Sequence, residues 1–170
     1  NSGIRTTTDY EMDPTFFRVN PSTIKTELIS GGQLSLTTLY HAYVSLGNKR
    51  VYSYLSKSIV TDALTNFTTN TKLAHNSCGN PTDITINRGN IETIKTTNVY
   101  GLKGAWLPNV VIQSTTTVTR HGAAPITRRV NYSYDSFGKV AQQINDLGDA
   151  KAVTTSHTYN KVKDEVWNLL

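Results

Sequence analysis

The chain has 170 residues, of which 37% are hydrophobic and 17% charged, with a net charge of +5. That length accommodates one domain with a core, and that balance excludes a disordered polyelectrolyte. No run of eighteen apolar residues is present, so no membrane-spanning helix is expected, and the scattered Lys and Arg form no stripe of the kind nucleic acid selects.

Thr and Tyr are abundant, and branched or aromatic side chains favour strands because they pack well on a pleated surface. In chain order, "IRTTTDY" (4–10) leads into "DYEMDP", which reads as a flexible, solvated stretch carrying Glu11 and Asp13. A turn at "SGG" (30–32) precedes the strand-like "LSLTTLYHAYVSL". "LGN" (46–48) is the next turn, followed by the strand signal "SIVTD". "CGNP" (78–81) then opens "PTDITIN" (81–87), where Thr82, Ile84 and Ile86 alternate with polar residues at the period of a half-buried strand. "RGN" (88–90) is a turn, "VVIQSTTTVTR" (110–120) a strand, "HGAAP" (121–125) a turn and "RRVNYSY" (128–134) a strand. "FGK" and "LGD" punctuate the remainder, because Gly supplies the positive φ of tight hairpins. Only "KVKDEVWNLL" has a helical face, from Val162, Val166, Leu169 and Leu170. The expected fold is therefore all-β. It is an antiparallel meander of repeated hairpins forming an extended curved sheet, with a short C-terminal helix at most. Open sheet, sandwich and barrel share this pattern.

The chain also resembles itself. Shifted by 59 residues, "HNSCGNPTDITINRGN" (75–90) lies on "YDSFGKVAQQINDLGD" (134–149) without a gap. Gly79 meets Gly138, Gly89 meets Gly148, and Tyr100 meets Tyr159. Asn76 meets Asp135, and either side chain can close a corner on its own backbone. A shift of 90 puts "IRTTTDY" on "IKTTNVY" (94–100). The repeats 75–101 and 134–160 are each a strand, a Gly turn, a strand, a second Gly turn and a strand with Tyr. Such a unit cannot bury its apolar face alone and must stack on neighbours. The expected organisation is one β domain over 1–170, a piece of a longer array.

"YDSFGK" (134–139) resembles the Tyr-Asp-x-x-Gly core of the YD repeats of RHS (rearrangement hotspot) proteins. The motif is Tyr134, Asp135, Phe137 and Gly138, and "HNSCGNP" is a degenerate copy in which Gly79, Asn80 and Pro81 fit the family's ending. What the resemblance implies is a segment of a large secreted or cell-surface bacterial protein. There such arrays build a shell wall or spacer, sometimes around a toxin, and carbohydrate binding has been suggested for the repeats. The expected partners are flanking repeats of the parent protein, with self-association through sheet edges. No nucleic acid or membrane insertion is expected.

Each residue that could carry chemistry also has a scaffold role. Asp135 reads as a turn residue rather than a general acid, because its counterpart Asn76 cannot exchange a proton in that role. His41, His75, His121 and His157 are too far apart in sequence for a zinc motif, and no phosphate loop is present. Cys78 stands where Phe137 stands and reads as a small apolar filler. "DLGD" (146–149) offers too few oxygens for calcium. The sequons "NFT" and "NYS" read as strand residues. Neither an enzyme nor a cofactor is expected. Trp106 and Tyr100 are the candidate glycan contacts, since aromatic faces stack on sugar rings, and a carbohydrate-binding module is the alternative function.

Overall fold

The structure is a computed structural model that describes residues 3–45, 51–103, 107–146 and 151–159. It has eleven strands: β1 (Ile4–Asp13), β2 (Arg18–Leu28), β3 (Gln33–Ser45), β4 (Val51–Asp62), β5 (Phe67–His75), β6 (Pro81–Arg88), β7 (Glu92–Lys103), β8 (Leu107–Arg120), β9 (Ile126–Tyr134), β10 (Val140–Asn145) and β11 (Val153–Ser156). All eleven lie in one sheet in sequence order, an open antiparallel meander whose outer strands are β1 and β11. No helix occurs among the described residues. The helical expectation for "KVKDEVWNLL" falls outside them, as do the turn at 46–48, Trp106 and Gly148.

The chain divides into two compact units, residues 1–98 with 116–127 and residues 99–115 with 128–170. In the first unit the register separates two kinds of face, because directly paired residues project to the same side of the sheet. One face carries Ile4, Thr6 and Thr8 of β1, Ile24 of β2, Thr37 and Leu39 of β3, and Val60 of β4. It continues through Thr69, Thr71 and Leu73 of β5, Ile84 and Ile86 of β6, and Ile94 and Thr96 of β7. The other face carries Arg5, Lys25, Glu27, Lys57, Lys72, Asp83 and Lys95. Apolar and charged residues thus tend to opposite faces, with Leu36 and Ile59 on the side of Lys25 and Lys57, and Arg88 and Glu92 on the side of Thr69.

Among the described residues no second layer covers either kind of face. Among the described residues no apolar side chain is fully buried, and the buried polar residue is Glu27, at 6% exposure. Globular domains ordinarily pack two layers around a core. Here the cross-strand neighbours themselves shield one another, which is why most strand residues are half-buried rather than buried or bare.

Two turns had no glycine to announce them. Asp13 accepts hydrogen bonds at Oδ1 from the backbone N–H of Thr15 and Phe16, both at 2.8 Å. Asp62 accepts at Oδ1 from Leu64 N at 2.8 Å and Thr65 N at 3.0 Å. Each loop then reverses through a residue with left-handed backbone, Phe17 (φ 53°) and Asn66 (φ 55°). "DYEMDP" is therefore mostly strand β1 with Asp13 as a cap, not the flexible stretch expected.

Candidate functional site

The most organised feature is a corner that occurs at three places. At β5–β6, Asn76 Oδ1 accepts from Cys78 N and Asn80 N, both at 3.0 Å. Asn76 N donates to Asn80 O at 2.9 Å, and Gly79 N donates to Asn76 O at 2.9 Å. At β9–β10, Asp135 Oδ1 accepts from Phe137 N at 2.8 Å and Lys139 N at 2.9 Å. Asp135 N donates to Lys139 O at 2.9 Å, and Gly138 N donates to Asp135 O at 3.2 Å. The turning glycines match as well, Gly79 at φ 82° and Gly138 at φ 80°.

The strands that leave the two corners keep the same register. His75 pairs with Pro81 and Ala74 with Asp83, skipping Thr82. Tyr134 pairs with Val140 and Ser133 with Gln142, skipping Ala141. A shift of 59 also carries the pairs Ile84–Thr96 and Ile86–Ile94 onto Gln143–Thr155 and Asn145–Val153. The extra residue is a β-bulge, which bends the strand and re-aims the side chains beside it.

A third corner lies at β2–β3. Leu28 N donates to Gly32 O at 2.7 Å, and Gly31 N donates to Leu28 O at 2.9 Å. Gly31 has φ 106°, and the register skips Leu34 between Glu27–Gln33 and Thr26–Ser35. The backbone and bulge are those of the other two corners, with Leu in place of the capping Asn or Asp. Sequence comparison missed it because the capping side chain is the part that was lost.

The residue before each corner is titratable and is shifted by its surroundings. Glu27 is gripped by Lys25 and Arg5, which hold its carboxyl below the ordinary value. His75 stacks on Tyr54 with ring centroids 4.1 Å apart, and burial pushes its imidazole below the ordinary value. Its Nδ1 is buried with no hydrogen-bond partner. Tyr134 donates from its hydroxyl to Val111 O at 2.6 Å, and burial followed by the nearby Tyr132 raises its pKa. Burial withdraws water from His75 and Tyr134 and disfavours the charged form of each.

Of the remaining predicted residues, Gly79 and Tyr159 touch these corners, and Gly89 lies in the turn between β6 and β7. Gly79 lies under Tyr52, whose hydroxyl donates to Gly79 O at 3.0 Å and occupies the space that a Cβ would need. Tyr159 donates to Val140 O at 3.0 Å, with the Lys139 ammonium 4.9 Å from its ring. Gly89 turns with φ 52° and donates to Thr68 O at 3.0 Å. Tyr100 is half-buried near the end of β7. Phe137 and Cys78 correct an expectation. Phe137 is 60% exposed and Cys78 is exposed, because the third corner position points outward rather than into packing.

The described acids and histidines are dispersed, and no cluster of three or more His, Cys, Asp or Glu able to hold a metal occurs among the described residues. A hollow of about 220 Å³ is lined by Glu11, Asp13, Asn20, His41 and Tyr43 among others. Most of its polar groups are already engaged. Asn20 donates to the Tyr43 hydroxyl at 2.8 Å and accepts from Ser53 at 3.2 Å, and His41 Nε2 lies 3.0 Å from Pro21 O. No protein-family model matches the chain, and no curated protein matches it.

Proposed function

We propose that the chain is a non-catalytic structural and interaction scaffold, a YD-repeat segment that supplies wall or spacer to a secreted or cell-surface bacterial protein. The observation that carries this is the thrice-used corner: one hydrogen-bond scheme with one bulge sets the register at Leu28, Asn76 and Asp135. Fixing register at the turns lets such a sheet grow by repetition without a second layer. Placing "YDSFGKV" in place of residues 75–81 tests it. A repeat scaffold accepts its own unit, so far-UV circular dichroism and the melting temperature should stay close to those of the parent chain. Unfolding of the swapped chain would refute the shared unit. Protease shaving of intact producing bacteria tests the location, with release of peptides from this segment expected.

A further inference from the structure

We propose that one face of the first unit holds a linear phosphate polymer along a row formed by Lys57, Lys72 and Lys95. This needs only the pairing of β3 to β7 and is independent of the repeat reading. The three lysines are far apart in the chain, and no stretch of sequence groups them. Strand pairing brings them into line. Tyr40 faces Lys57, Lys57 faces Lys72, Lys72 faces Thr85, and Thr85 faces Lys95. Directly paired residues share a face. At about 4.8 Å per strand, this row is about 19 Å long from β3 to β7.

The row carries charge that the described residues do not balance. Elsewhere in this unit, directly facing charges are opposite in sign: Arg5 with Glu27, Asp13 with Arg18, and Arg88 with Glu92. Lys57 and Lys72 are alike, and like charges directly opposite each other destabilise a sheet. The Lys57 ammonium lies 4.8 Å from the centroid of the Tyr40 ring. Lys72 and Lys95 are exposed, and neither has an ion-pair partner among the described residues. The adjoining row on one side, Ile59, Asn70, Asn87 and Thr93, is uncharged. On the other side Asp83 accepts from Thr97 at 3.0 Å. An anion laid along the row relieves the repulsion between Lys57 and Lys72.

Shape and chemistry select the anion. A linear chain meets the row alone, whereas a flat anionic membrane surface would also press on Asp9 and Asp83 of the same face. Single-stranded nucleic acid needs aromatic platforms for its bases, and the ring in this row, Tyr40, already lies against Lys57. Carboxylates match the planar fork of Arg, which this chain sets against Glu27 and Glu92. Lys is a compact point charge that suits a phosphate oxygen approached from many directions. A chain of phosphates without bases fits a single file of lysines.

Fluorescence anisotropy with labelled inorganic polyphosphate and the whole chain tests this. Binding is expected at low salt, with affinity falling roughly tenfold or more between about 50 and 200 mM salt. Lys72→Gln combined with Lys95→Gln should weaken binding by about tenfold or more. Arg18→Gln combined with Arg128→Gln removes as much charge elsewhere and should change affinity less than about twofold, because distant exposed charges are screened. Without polymer, Lys72→Gln alone should raise the melting temperature, since it ends the repulsion with Lys57. Polyphosphate should raise the melting temperature of the parent chain and leave that of the double lysine variant unmoved. No binding at low salt, equal losses from the two double variants, or a melting temperature lowered by Lys72→Gln overturns the lysine row. Polyglutamate, dextran sulfate or single-stranded DNA binding as tightly as polyphosphate overturns the choice of a phosphate polymer.

Discussion

Replacing Asp135 separates what the corner needs from what an active site would need. Its Oδ1 accepts two backbone hydrogen bonds, from Phe137 N at 2.8 Å and Lys139 N at 2.9 Å. Asp135→Ala removes both. A typical intramolecular hydrogen bond contributes about 1 kcal/mol net, and the Phe137 side is exposed enough for water to substitute. The expected loss is therefore about 1–2 kcal/mol. Asp135→Asn keeps the accepting oxygen, as Asn76 does in the other corner, so its expected cost is below about 0.5 kcal/mol. Urea unfolding followed by circular dichroism measures both, with the midpoint moving and the slope constant. The Leu28 corner forms with no capping oxygen at all, so Asp135→Ala should lower stability without changing the fold. Equal losses for Ala and Asn, or no loss for Ala, would refute the capping role.

Two further outcomes follow from the same corners. Gly79→Val should lower the melting temperature more than Gly31→Val in matched thermal melts: both glycines have positive φ, but Tyr52 fills the Cβ space of Gly79 and nothing lies within 4 Å of Gly31. His75 has its folded pKa pushed below its ordinary 6.5 by burial, so the unfolded chain takes up the proton first and stability falls as pH drops through about 6.5 toward the folded pKa. His75→Tyr, the residue that Tyr134 supplies at the equivalent place, should flatten stability against pH in that window, as denaturation at pH 7 and pH 5 would show.

The all-β meander was legible because alternation in "PTDITIN" and "RRVNYSY" has the strand period, and glycines separate the runs. The loops at Asp13 and Asp62 were not, because a capping carboxylate and a left-handed Phe17 or Asn66 replaced the expected glycine. Cys78 reads as a filler yet is exposed, as Phe137 is, because hydrophobicity alone does not say which way a turn residue points. Glu27, His75 and Tyr134 hold the same place before a corner but share no chemistry, so nothing in their letters groups them.

The sequence by itself determined the strand period, the glycine turns and the matching of "HNSCGNP" with "YDSFGKV". These are local properties of a few adjacent residues. Only the tertiary structure decided which strands are neighbours, that one layer forms among the described residues without a buried apolar core, and that a bulge follows each corner. Register is a relation between segments far apart in the chain. One residue of slip in β6 would move Ile84 and Ile86 to the side of Lys72 and Lys95 of the neighbouring strands. It therefore exists only once the strands have met.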